Sequence, residues 1–236
     1  MFYNLETYTC VIKDSLASNY TDYSFAFAKV HFETGGSVWS TLSDWTCSFK
    51  WNTKDTFFLD TNPSFQGCFY GAGNEGRGIT IPPRKSIKSA PQNGYNCLAM
   101  FADSKFKFIK VATDADDETQ NQFSVGRGAF MFSGCASLEE ISGFNFRSSS
   151  RGNYDTNCMF SKCSKLHSIT NCVMPMIAFS LADSPNFTAE EMTEVFNQLE
   201  TISTTQTITI NATVFDKLST EQIAVATGKG WNVARA

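Results

Sequence analysis

Ala129-Phe-Met-Phe-Ser-Gly-Cys-Ala-Ser-Leu-Glu-Glu-Ile141 (AFMFSGCASLEEI) decides how the chain is read, because Cys158-Met-Phe-Ser-Lys-Cys-Ser-Lys-Leu-His-Ser-Ile169 (CMFSKCSKLHSI) says nearly the same thing again. A fainter copy stands upstream, CLAMFADSKFKFI, from Cys97 to Ile109. Aligned on Met-Phe, the copies place Met100-Phe101, Met131-Phe132 and Met159-Phe160 at spacings of 31 and 28 residues. Leu138 and Leu166 each lie six residues after the Phe, and Ile141 and Ile169 each lie nine after it. Phe106 and Ile109 fall one residue early, as a single deletion would leave them. Cys135 and Cys163 share a position three after the Phe. Self-similarity at about 30 residues is the mark of a stack, in which each repeat offers an apolar ridge that only its neighbours can bury. Met100, Phe101, Phe106, Ile109, Met131, Phe132, Cys135, Leu138, Ile141, Met159, Phe160, Cys163, Leu166 and Ile169 are therefore expected to be structural core, with the cysteines as small space-fillers.

The flanks read differently. Residues 1–65 are expected to form an N-terminal antiparallel β unit. Trp45, Cys47, Phe49 and Trp51 alternate with polar residues, TFFLD follows a turn as a hairpin partner, and residues 24–32 (SFAFAKVHF) read as another strand. Residues 66–94 are rich in Gly, Pro, Arg, Lys and Asn and are expected to be a connector, with a short strand at residues 78–81. Repeats fill 95–180. Residues 181–236 break the pattern as a terminal cap should. Thr188 and Glu191 form a capping box before Met192, Val195, Phe196 and Leu199, which mark one amphipathic helix. Thr205 to Ile210 (TQTITI) alternates as a strand. Ser219 and Gln222 open a second, shorter helix that Gly228 stops, and WNV closes as a strand. The fold class expected is mainly β with short helices (α+β).

The repeat MFSGCASLEEI and MFSKCSKLHSI resembles the Met-Phe-x-x-Cys-x-x-Leu-x-x-Ile repeats of BspA-like leucine-rich-repeat proteins. The run TITINATVFDKLSTEQIAVATGKGWNV, with its threonine-rich strand, Leu-Ser-x-Glu helix and Lys-Gly-Trp ending, resembles the cap that often follows such repeats. The resemblance covers roughly residues 95–236. It implies surface recognition rather than chemistry. Members occur as secreted bacterial adhesins and surface proteins, and as virion proteins of phages infecting Bacteroidetes. It implies no catalytic residue and no cofactor.

Composition narrows the function further. With 19 Lys+Arg against 23 Asp+Glu, net −4, there is no electrostatic reason to expect nucleic acid. No apolar run approaches the ~18 residues of a membrane span, so no membrane partner is expected. The N-terminal MFYNLETYTCVIKD has no basic segment followed by an apolar one, so the expectation is folding in a cytoplasm, without a secretory signal. The 22 phenylalanines imply a broad aromatic core or aromatic subunit contacts. Eight cysteines include no CxxC pair and are expected to be free and buried.

Other constellations of polar and glycine residues also have plain structural roles. Gly71-Ala-Gly-Asn-Glu-Gly76 matches GxGxxG, but an extended, proline-blocked segment follows where a nucleotide site needs a helix, so a turn-forming loop is expected. Cys158, Cys163, His167 and Cys172 have the residue types of a zinc knuckle but the wrong first two gaps, and Cys163 repeats the inward Cys135. Asp114-Ala-Asp-Asp-Glu118 lacks the glycine and spacing of a calcium loop and reads as a solvated acidic loop. Glu139-Glu140 and Glu190-Glu191 are sequence neighbours, which do not face one another. Pro82-Pro-Arg-Lys-Ser-Ile-Lys88 is a small basic linker, read as keeping its loop soluble or lying on an acidic neighbouring subunit. His31 and His167 are the only histidines, and Cys163 with His167 is the one candidate dyad for a hydrolase.

The expectation from sequence is a non-enzymatic structural component of a bacteriophage virion: a head fibre, capsid decoration or tail-fibre part made in the host cytoplasm. Its partners would be itself as a homo-oligomer (a trimer by fibre analogy), other virion proteins, and a host surface glycan or protein. The alternative is a secreted or cell-surface leucine-rich-repeat adhesin, and a third reading is a small hydrolase using Cys163 and His167.

Overall fold

A computed structural model describes residues 65–73, 76, 78–81, 94–111, 122–147 and 156–236. The expected N-terminal antiparallel unit, His31, the acidic cluster at 114–118 and the basic segment at 82–88 lie outside the described residues. The described part has the expected strands with a few short helices, its sheets are parallel, and together they make a mixed α/β arrangement with no closed barrel.

Strands β1 (Gly78–Ile81), β3 (Phe108–Val111), β5 (Glu140–Ser142) and β7 (Ser168–Thr170) form a four-stranded sheet in that order. Each joins the next in parallel, with Ile79, Ile109, Ile141 and Ile169 in one row. That register absorbs the early Ile109: the deletion lies before the strand, so the strand itself is in step. A second parallel sheet has β4 (Phe123–Arg127) between β2 (Tyr95–Asn96) and β6 (Phe144–Asn145).

Between the two sheets, the Met-Phe turns stack through their backbones. Phe69 N–H donates to Met100 O at 2.7 Å, Phe101 N–H to Met131 O at 2.8 Å, and Phe132 N–H to Met159 O at 3.0 Å. The phenyl rings follow as a ladder. Phe69, Phe101, Phe132 and Phe160 lie parallel at successive centroid distances of 5.2, 5.7 and 5.6 Å. Phe144 and Phe146 meet Phe132 edge-on, which fits the ring quadrupole. Every repeat position expected in the core is buried, from Met100 to Ile169.

The connector expected over 66–94 is corrected for its first part. Phe65, Cys68, Phe69, Ala72, Ile79 and Ile81 are buried, and β1 pairs with β3. Cys68-Phe69 stands where later turns carry Met-Phe, and Ile79 follows ten residues after the Phe instead of nine. The described residues of 65–81 thus pack on and hydrogen-bond to the Met100-Phe101 turn and β3, which their glycine-rich composition hides.

The C-terminal part closes the stack. β8 (Phe179–Leu181), β9 (Gln206–Ile210) and β10 (Trp231–Arg235) form a parallel sheet with β9 central. Helices α1 (Ala189–Asn197), α2 (Ala212–Phe215) and α3 (Thr220–Thr227) connect and cover these strands. Both capping boxes form, Thr188 with Glu191 and Ser219 with Gln222. Gly228 ends α3 with right-handed geometry (φ −64°), and the left-handed turn falls two residues later at Gly230 (φ 90°). Helix α2 was not foreseen; four residues are too few for a periodic signal.

The closing device is a set of polar side chains standing in for a further layer. Where each turn's second residue after Phe donates to the next turn's carbonyl, as Gly134 N–H does to Ser161 O, Lys162 N–H finds the Asp183 carboxylate at 2.7 Å. Ser184 Oγ donates to Cys163 O and Asn186 Nδ2 to Ser164 O, both at 3.0 Å. The Gln198 amide spans β7's end, donating to Ile169 O and accepting from Cys172 N–H, both at 2.7 Å. A sheet edge left open invites pairing, and here it is capped by side chains instead.

Candidate functional site

The strands of the four-stranded sheet alternate, so one set of side chains goes into the core and the other lies on the outer face. The register sorts the outer set into two rows. Gly78, Phe108, Glu140 and Ser168 make one; Thr80, Lys110, Ser142 and Thr170 make the other. Gly78 is small for a reason: a Cβ there would sit 2.2 Å from the Phe108 ring, which covers it. Lys110 Nζ lies 5.1 Å from the same ring's centroid and pairs with the Glu140 carboxylate. Lys107 and Glu139 pair at 3.2 Å beside them. The face therefore offers one aromatic surface, a lysine–glutamate pair and a row of hydroxyls. Among the described residues of this face no nucleophile and base are in contact.

The candidate reactive groups go elsewhere. Cys135 Sγ donates to Phe101 O at 2.9 Å, and Cys163 Sγ repeats this one layer on, to Phe132 O at 3.0 Å. Ser104 holds the equivalent place in the preceding layer, with its Oγ 3.3 Å from Cys135 Sγ. Burial pushes the thiols of Cys97 and Cys163 well above their ordinary value, and those of Cys135 and Cys172 up to about 12. A thiol held protonated is a poor nucleophile. His167 Nδ1 lies 3.0 Å from Glu191 Oε1, not beside Cys163's thiol. Partial burial pushes the Glu191 carboxyl up, but the Thr188 N–H and His167 outweigh it and hold it below its ordinary value. The Cys163–His167 dyad is therefore not assembled: its thiol serves the core and its imidazole ties β7's approach to helix α1.

Cys158, Cys163, His167 and Cys172 are likewise not gathered as a zinc set. Cys172 Sγ bonds Thr170 O at 3.2 Å, and among the described residues no group of three or more His, Cys, Asp or Glu is placed to hold a metal. Gly71 to Gly76 leads into β1 rather than a helix, and its described glycines take left-handed geometry within a turn of the stack. Glu139 and Glu140 pair with different lysines, Lys107 and Lys110, and Glu190 leaves Glu191 to close the capping box.

The Lys-Gly-Trp ending of the cap has a structural job. Lys229 Nζ donates to the carbonyls of Phe196, Asn197 and Leu199 at 3.1, 2.6 and 2.8 Å, satisfying the end of α1. Gly230 turns the chain so close to Ile202 that a Cβ would lie 2.6 Å from its carbonyl oxygen. Trp231 is buried edge-on against Phe179, with its indole N–H on Glu200 O at 2.9 Å.

Sequence reasoning placed the inward residues but not the outer rows, because alternation over three or four residues is too short to read without the register. Comparison with family models, curated proteins and solved structures finds no match to this chain.

Proposed function

We propose that the chain is a non-enzymatic structural component of a bacteriophage virion, of head-fibre, capsid-decoration or tail-fibre kind. In this reading residues 65–180 are a short leucine-rich-repeat stack, residues 181–236 its cap, and the outer sheet face around Phe108, Lys110 and Glu140 its contact surface for protein or glycan. The observation that carries the proposal is the in-register row Ile79, Ile109, Ile141 and Ile169, closed by side-chain caps at one end. That arrangement buries the repeat residues and leaves the alternate strand positions on an outer face. The Met-Phe-x-x-Cys-x-x-Leu-x-x-Ile pattern and the Lys-Gly-Trp cap add the resemblance to virion proteins of that repeat class.

Light scattering of the purified chain across a wide dilution range tests it. A virion part of this kind is expected to be a closed homo-oligomer that survives dilution. A monomer at every concentration that also fails to bind any capsid or tail protein overturns the proposal, and binding of such a monomer to bacterial or host surfaces would favour the adhesin instead. On the outer face, Phe108→Ser with Lys110→Glu is expected to abolish partner binding while leaving the unfolding free energy within about 1 kcal/mol of the parent, as surface changes usually do.

A further inference from the structure

We propose that the groove between Met176 and residues 201–206 binds a neutral saccharide. It is an open groove of about 430 Å³, lined by Met176, Thr201, Ile202, Ser203, Thr204 and Gln206. That volume lies within the usual range of small-ligand sites, about 300–1,000 Å³.

The lining chemistry selects the ligand class. None of the six side chains ionises, so the described lining offers no charge with which to hold a phosphate, a carboxylate or a metal ion. The hydroxyls of Thr201, Ser203 and Thr204 make no hydrogen bond to another described residue, and each is both donor and acceptor. Gln206 uses its carbonyl oxygen on Ala178 N–H at 3.1 Å, which leaves its amide N–H groups for a ligand. Met176 and Ile202 supply an apolar floor. Hydroxyl and amide groups over a thioether and an aliphatic side chain match a sugar ring, which carries hydroxyls around its edge and C–H groups on its face.

The chain on either side of the groove is tied down: Ile202 N–H donates to Lys229 O at 2.9 Å, the Trp231 indole N–H to Glu200 O, Lys229 Nζ to Leu199 O, and Ala178 N–H to the Gln206 side chain. Fixed flanks lower the ordering cost of binding. The inference rests on the groove alone and holds whether or not the chain belongs to a virion.

Met176 provides the test. It is the partly exposed methionine among the described residues; Met100, Met131, Met159, Met174 and Met192 are buried. The full chain labelled with methyl-13C methionine would be titrated with the methyl glycosides of glucose, mannose, galactose and N-acetylglucosamine, up to about 50 mM, well above the millimolar affinity expected of so small a contact. Met176→Leu assigns the signal. The expected result is a saturable shift of the Met176 methyl with at least one glycoside, the buried methionine signals staying in place. Ser203→Ala with Thr204→Val should weaken that binding about tenfold, two hydrogen bonds' worth, with the buried signals again reporting an intact fold. No Met176 shift with any glycoside overturns the proposal, and so does a shift the double variant leaves unchanged. A shift with a neutral tripeptide such as Ala-Ser-Ala but with none of the sugars also overturns it.

Discussion

At the scale of single residues, backbone geometry repeats as faithfully as the side chains do. The second residue after the ladder Phe is left-handed in every layer: Gly71 (φ 62°), Asp103 (57°), Gly134 (79°) and Lys162 (60°). Glycine takes this region freely, whereas other residues pay about 1–2 kcal/mol there. Lys162→Gly is therefore expected to be stabilising by about 0.5–1 kcal/mol after the flexibility of the unfolded chain is counted, while Gly134→Ala costs about 1–3 kcal/mol. Part of that cost is local: a Cβ on Gly134 would lie 2.0 Å from Asp103 Oδ1, so the carboxylate must swing aside. Urea denaturation of both variants measures the pair, and a stabilising Gly134→Ala would refute the left-handed ladder. Two residues before the Phe the same region recurs at Gly67, Ala99 and Phe130, and Phe130 is the one exposed large apolar side chain among the described residues.

The buried thiols make a pH prediction at the same scale. Their folded pKa lies above the unfolded one, with Cys135 and Cys172 raised from 9.0 to about 12. The unfolded chain then loses its thiol protons first, so stability is full below pH 9 and falls as pH rises toward 12. Each such thiol contributes a loss of up to about 1.4 kcal/mol per pH unit in that window. Urea midpoints at neutral pH and at about pH 10 should therefore separate, and Cys135→Ser should narrow the gap; equal midpoints would contradict the burial of these groups in the protonated form.

At the scale of elements, the cap works by supplying polar side chains to backbone that has run out of neighbours. Gln198→Leu leaves Ile169 O and Cys172 N–H without their partner and is expected to cost about 2–3 kcal/mol. Lys229→Met removes the ammonium from three carbonyls at the end of α1 and is expected to cost about 1–3 kcal/mol. The two can be told apart by hydrogen exchange. Gln198→Leu should release protection first at β7 and Cys172, and Lys229→Met first at α1 and the Thr201 loop. Release everywhere at once in both variants would mean the cap has no local role.

At the scale of the whole molecule, the phenyl ladder carries the load between layers. Phe132 stacks on Phe101 and Phe160 and is met edge-on by Phe144 and Phe146, so it has neighbours on every side. Phe132→Ala is expected to cost about 3–5 kcal/mol and to uncouple the layers above and below it. Thermal unfolding should then show two steps in place of one; a single transition with a small shift would place the cohesion elsewhere, in the two sheets.

The period, the inward residues and both capping boxes are legible in the chain before it folds. These depend on local chemistry: a ridge of Met, Phe, Leu and Ile at fixed offsets is apolar wherever the chain goes, and a capping box closes within four residues. Only the tertiary structure decided that residues 65–81 join the stack, because Cys68-Phe69 and a ten-residue step to Ile79 look like a glycine-rich linker until β3 pairs with β1. It alone set the outer rows, since which side chains stand beside Phe108 depends on register between strands some thirty residues apart. And it alone revealed why the stack stops: Asp183, Ser184, Asn186 and Gln198 are ordinary surface residues in the sequence, and they become caps only because the fold brings them onto backbone groups that have no further layer to bond.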